Sequence, residues 1–194
     1  MTDFSYQPRQ STVADASGWQ WFVQRFPEQA QYAETSAGPT DLVWWAEQAK
    51  RDASKAGNLV IIGSTGTRKT TSALAAIRPV AEAGRKVRWS NMANLVTQID
   101  AAFRSPHEVE ATEATVWVLD DLAAAGTLDH SVSTALYRIV NARTERSRPI
   151  VVTANRDLDS LVQVLGHQGD SIRDRLTHRA KIVPMFGQSY RGTA

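Results

Sequence analysis

The spacing of apolar residues changes along the chain, and the changes mark its elements. From Asp41 to Lys55, Leu42, Trp45, Ala46 and Ala49 recur at helical intervals, with Thr40 or Asp41 as candidate caps and Gly57 and Asn58 as the stop. Leu59 to Ile62 is a continuous apolar run, the signature of a strand buried on both faces. A loop rich in Gly and Thr follows, from Gly63 to Arg68. Lys69 then opens a helical stretch that the pattern expects Pro79 to kink or divide.

The alternation continues to the end of the chain. Lys86 to Trp89, Thr115 to Leu119, Ile150 to Thr153 and Lys181 to Met185 read as strands. Asn91 to Phe103, Val132 to Arg146, Leu158 to Leu165 and Asp170 to His178 read as helices, the first with Met92, Leu95, Val96, Ile99 and Phe103 on one face. Strand and helix alternating in this way predict a parallel sheet covered on both sides.

Residues 1 to about 38 differ in character. They are rich in Gln, Ser and Thr, yet Trp19, Trp21, Phe22 and Phe26 crowd into eight positions. Aromatics at that density seek burial, either on the chain's own core or on a partner.

Composition narrows the function classes. The 194 residues are 42% apolar and 22% charged, which is globular and enough for a buried core. There is no cysteine, so disulfides, zinc-thiolate sites and thiol nucleophiles are excluded. The N-terminus lacks a basic flank leading into an apolar stretch, and no apolar run approaches membrane-span length, so a cytoplasmic protein is expected. Net charge is +2 but uneven: residues 1–57 carry 5 basic against 7 acidic groups, and residues 58–194 carry 17 against 13. That bias permits contact with nucleic acid without requiring it. Arg138, Arg143, Arg146 and Arg148 are candidates for a DNA path, or for cations answering a helix C-terminus.

The chemistry gathers at the ends of the predicted strands. Gly63, Ser64, Thr65, Gly66, Thr67, Arg68, Lys69, Thr70 and Thr71 lie between a buried strand and a helix, where a phosphate-binding loop belongs. Backbone N–H groups of such a loop, with the helix N-terminus behind them, hold anionic oxygens. Lys69 would neutralise β- and γ-phosphates, and Thr70 would offer a hydroxyl to Mg²⁺. One position departs from the pattern: Arg68 stands where the glycine before the lysine is expected. Its side chain either adds charge beside the phosphates or crowds them.

The strand from Thr115 to Leu119 ends in Asp120 and Asp121. Asp120 is placed to hold Mg²⁺, and Asp121 to polarise an attacking water. Asn155, after the strand from Ile150, is a candidate for orienting that water or for capping the next helix. Arg173 and Arg175 lie two apart in one predicted helix, so only one of them can project into a neighbouring subunit's phosphate site.

Assembled in this order, the motifs resemble those of the DnaC/DnaI-type helicase loaders and the related IstB-type transposition ATPases, which are AAA+ P-loop ATPases. IIGSTGTRKTTSALAA resembles Walker A, VWVLDDLA Walker B, VVTAN sensor 1 and SIRDRL the arginine-finger box. The tail Gln188-Ser-Tyr190-Arg191 is similar to the family's terminal Ser-Tyr-Arg. The resemblance implies an α/β P-loop fold with a five-stranded parallel sheet, helices on both faces and no complete helical lid. It implies ATP and Mg²⁺ as ligands, Arg175 as the finger with Arg173 behind it, and Arg191 as a sensor-2-like arginine. It further implies an ATP-dependent homo-oligomer, single-stranded DNA binding, and a replicative DnaB-type helicase as partner. On this reading residues 1–40 form a short partner-binding segment and residues 41–194 the ATPase domain. The function expected is helicase loading, with transposition helper and non-hydrolysing helicase-binding protein as alternatives. Asp121 stands where many relatives carry Glu, and its shorter reach points to slow turnover.

Overall fold

The computed structural model describes residues 18–33, 38–103, 110–155 and 157–186. Its strands are β1 (Leu59–Gly63), β2 (Val87–Asn91), β3 (Val116–Asp120), β4 (Ile150–Ala154) and β5 (Lys181–Met185). All pair in parallel, in the order β2-β3-β4-β1-β5. The helices are α1 (Trp19–Arg25), α2 (Pro27–Gln31), α3 (Thr40–Ala56), α4 (Lys69–Glu82), α5 (Met92–Phe103), α6 (His130–Glu145), α7 (Leu158–Val164) and α8 (Gly169–Thr177).

Strand alternation sends successive side chains to opposite faces, and each face has its own core. Val116 and Val118 of β3 join Val151 and Ile61 in the core beneath α1 to α4. Trp117 and Leu119 of the same strand join Ile150 and Val152 beneath α5 to α8. Both sides of β3 and β4 are therefore apolar, which is why these strands read as unbroken hydrophobic runs. Among the described residues, no helix is long and apolar enough to cross a membrane.

Several local expectations are corrected. Pro79 does not divide the helix that contains it; α4 runs from Lys69 to Glu82 as one element. Val80 and Ala81 after it are buried, and Ala81's carbonyl lies 2.3 Å from where a side chain on Gly18 would begin. Packing of the last turn thus outweighs the N–H that proline cannot supply. The irregularity falls instead in α3, where Asp52 leaves helical geometry (φ −151°, ψ 99°) and its carboxylate accepts from the Ser54 N–H and hydroxyl. Neither Thr40 nor Asp41 caps α3, since Pro39 occupies that position.

Trp19 and Phe22 share the core of the sheet's first face, and Phe22 and Phe26 meet the Trp89 ring at 6.3 and 4.9 Å. The aromatic cluster is spent on the chain's own core. Residues 18–33 consequently pack onto the same core as the sheet. Arg143 is also corrected as a candidate for the DNA path. It is fully buried, and its guanidinium donates to the carbonyls of Ala111, Ala114, Thr115 and Pro149. That fork ties the segment before β3 to the entry of β4.

Candidate nucleotide-binding site

The phosphate loop joins the C-terminal end of β1 to α4, and three backbone positions shape it. A side chain on Gly63 would begin 2.4 Å from the Met185 carbonyl of β5, so only glycine fits there. Gly66 turns the tip with φ 87°. Arg68, capping α4, adopts the left-handed conformation (φ 61°, ψ 28°). The pattern's second glycine serves this geometry, and Arg68 reaches it against the usual steric preference of L-residues. Its guanidinium lies 5.9 Å from the centre of the Tyr32 ring. The Ser64 carbonyl accepts from both the Thr67 hydroxyl and the Lys69 ammonium, each at 2.8 Å, which closes the loop on itself.

Asp120 ends β3 opposite the loop, buried to 7% exposure. It accepts a 2.6 Å hydrogen bond from the Thr153 hydroxyl and a 3.2 Å one from Thr70. Burial pushes its carboxyl above the ordinary carboxylate range; the two threonine hydroxyls pull it down, the Asp121 charge adds to the rise and Lys69 opposes it. Asp121 also has left-handed backbone, φ 57°. Aspartate tolerates this region better than glutamate, a local reason for Asp at this position.

The order of strands explains the link between these parts. β4 lies between β1, which carries the loop, and β3, which carries the carboxylates. Thr153, near the end of β4, therefore reaches Asp120 on its neighbour. The sequence shows this residue only as part of a strand; its role depends on which strand sits beside which.

A cleft of about 530 Å³ opens over the site. Thr65, Gly66, Arg68, Lys69, Thr70 and Thr71 form its floor, with Asp120, Asp121, Thr153 and Asn155 on one side. Asn91, at the end of β2, also lines it, as do Glu28, Gln29 and Tyr32 of the α2 region. Sequence reasoning missed Asn91 and the α2 wall, which no motif marks. A second cavity of about 230 Å³ shares Tyr32, Arg68 and Thr71 with the cleft and is lined further by Phe186 and Met185. Asn155 does not cap α7; that role belongs to Asp157, whose carboxylate accepts from the Ser160 N–H.

The two finger candidates are engaged within their own protomer. Arg175 donates to Asn141, the Ser171 carbonyl and the Tyr137 hydroxyl, and lies over the Tyr137 ring at 4.7 Å. Arg173 pairs with Asp159 and Asp170. Arg191 lies outside the described residues, as do Gln188 and Tyr190.

A glycine-rich turn between an inner parallel strand and a helix, facing carboxylates at the same sheet edge, defines a P-loop nucleotide-binding fold. The chain belongs to the family of IstB-like ATP-binding proteins, whose family model matches residues 47–194. An insertion sequence ATP-binding protein of Sinorhizobium fredii is 30% identical over 145 residues, covering 71% of this chain and 48% of that protein. An IS21-like insertion sequence ATP-binding protein of Bacteroides fragilis is 26% identical over 157 residues, covering 78% and 56%. The chain thus spans about half the length of these curated relatives. Among solved structures, the DnaC helicase loader superposes with a TM-score of 0.64 at 16% identity, covering 77% of this chain and 92% of that one. DnaA bound to AMPPCP and single-stranded DNA gives 0.65 at 18% identity, covering 78% and 47%. These structures share the AAA+ fold with this chain.

Proposed function

We propose that the cleft binds ATP with Mg²⁺ and hydrolyses it slowly, and that the cycle runs a homo-oligomeric DNA-acting helper of insertion-sequence transposition. The observation that carries the nucleotide chemistry is the chain of hydroxyls and carboxylate from Thr70 through Asp120 to Thr153, set directly across from the loop. A hydroxyl and one carboxylate, 3.2 Å apart, are the hard oxygen donors that Mg²⁺ takes beside substrate phosphates. When bound, the ion neutralises charge on the phosphate oxygens.

Loop N–H groups and the α4 N-terminus hold the phosphates, with Lys69 on the β- and γ-groups. The base rests in the second cavity, against Tyr32 and Phe186. In hydrolysis, water oxygen bonds to the γ-phosphorus. The bond to the β,γ-bridging oxygen breaks with its electron pair leaving on ADP, and the water proton passes to Asp121. Asn155 orients that water. Arg175 of an adjacent copy answers the γ-phosphate after leaving Asn141 and Tyr137, and Arg191 acts on the same group.

The transposition reading is supported by both curated relatives, which are described as insertion sequence ATP-binding proteins. The sequence expectation of helicase loading stays as a second reading, favoured by likeness to the DnaC loader and to DnaI. There the partners are a replicative DnaB-type helicase and single-stranded DNA, and residues 1–40 supply a short partner-binding segment whose hold does not use the buried Trp19 and Phe22. Binding isotherms with ATP present separate the two: preference for duplex DNA supports the helper, and preference for single strands with capture of the helicase supports the loader. Phosphate release no faster than in Lys69→Ala, with and without DNA, refutes both as ATPases.

A further inference from the structure

Thr153 holds Asp121 from both sides. Its hydroxyl accepts from the Asp121 N–H at 2.9 Å, and its main-chain carbonyl accepts from the Leu122 N–H at 2.9 Å. The two N–H groups bracketing Asp121's left-handed backbone are thus both tied to one residue of the neighbouring strand. The same hydroxyl donates to Asp120 at 2.6 Å, so its single proton is committed and its orientation is set. Asp121 has a short side chain, and its carboxylate direction follows the backbone closely. A conformation that costs energy persists only when its surroundings over-determine it, and here β4 supplies that restraint.

The geometry points to Thr153 as a positioning residue for ATP hydrolysis: its hydroxyl clamps Asp121 in left-handed backbone and so aims the Asp121 carboxylate at the attacking water. This rests on the ATPase reading above. The Thr153 hydroxyl is engaged by Asp120 and the Asp121 N–H, and it acts through Asp121. Its contact with Asp120 is a second route by which a substitution acts, through Mg²⁺, and the test separates the two.

Thr153→Val keeps the shape and removes the hydroxyl; Thr153→Ser keeps the hydroxyl. For Thr153→Val, kcat falls about 100-fold at saturating Mg²⁺, the cost of misplacing a reacting group by about an ångström. KM for ATP stays within about threefold, and Thr153→Ser restores kcat to within about threefold of the wild type. Amide hydrogen exchange followed by NMR supplies a readout independent of turnover. Asp121 exchanges about tenfold faster in Thr153→Val, while Leu122, still bonded to the carbonyl, is unchanged. Equal acceleration at both amides means general loosening and overturns the clamp, as does unchanged exchange at Asp121. A kcat deficit that added Mg²⁺ abolishes also overturns it, because the effect then runs through Asp120. If the wild-type chain binds ATP without hydrolysing it, the ATPase reading fails, and with it the aiming of a water, while the exchange arm still decides whether Thr153 holds Asp121.

Discussion

Replacing Arg68 by glycine and by alanine separates backbone strain from charge at the phosphate loop. Arg68 sits at φ 61°, ψ 28°, where an L-residue pays roughly 1–2 kcal/mol. Glycine removes that strain but gives back about 0.5–1 kcal/mol through the greater freedom of the unfolded chain. Alanine keeps the strain. Both variants lose the exposed contact with the Tyr32 ring, about 0.5–1 kcal/mol at such a site. Arg68→Gly is therefore expected within about 0.5 kcal/mol of the wild type, and more stable than Arg68→Ala by ~1 kcal/mol. For a domain of this size that difference is about 3 °C in melting temperature, readable by calorimetry or urea titration. The guanidinium sits against the Tyr32 ring at the side of the cleft, so wild-type protein should bind a fluorescent ATP analogue, and Arg68→Gly should weaken or tighten binding by less than about tenfold, one cation's worth at a partly exposed site. The reasoning fails if Gly and Ala variants melt together. It also fails if wild-type protein shows no saturation at millimolar nucleotide while Arg68→Gly binds.

Three further outcomes follow from the packing of charged groups. Because burial raises the Asp120 carboxyl, the folded state holds its proton longer than the unfolded chain, so this group's contribution to stability falls as pH rises from the ordinary carboxylate range through the raised value. Asp120→Asn should flatten that segment of a pH–stability profile and raise the melting temperature of nucleotide-free protein at neutral pH, while removing any Mg²⁺ dependence of nucleotide binding. Arg143→Ala strips donors from four carbonyls, three of them in buried bonds, and should cost about 3–5 kcal/mol in urea unfolding, a loss large enough to be seen first as poor soluble yield. Arg175→Ala should cost about 1–2 kcal/mol of protomer stability through its lost bonds to Asn141 and Tyr137, whereas Arg173→Ala, an exposed pair, should cost under about 0.5 kcal/mol; thermal melts of the two variants compare them directly.

Much of the architecture was written in local pattern. Leu59 to Ile62, Val116 to Leu119 and Ile150 to Val152 are apolar without alternation, as strands covered on both faces are, and their alternation with helical patterns points to a parallel sheet. The loop from Gly63 to Thr71 and the pair Asp120 and Asp121 were legible because their chemistry is carried by residues adjacent in the chain. Other features needed the folded chain. Whether Trp19 and Phe22 faced a partner or the core was settled by the face of Trp89 and α4 against which they pack. Arg143 read as a surface cation because nothing local announces three carbonyls from the segment before β3 converging with that of Pro149.

The same division runs through the site. Periodicity and residue type determine that a phosphate loop and an acidic strand end exist, since both are properties of short stretches. Only the strand order, with β4 slipped between β1 and β3, decides that Thr153 meets Asp120 and Asp121. Strand order follows from how helices close over each face, a balance of burial across the whole domain that no window of sequence contains. Likewise Arg68 is a departure from a motif when read along the chain. In three dimensions it is an L-residue held at a glycine's backbone angles by the turn on one side and α4 on the other.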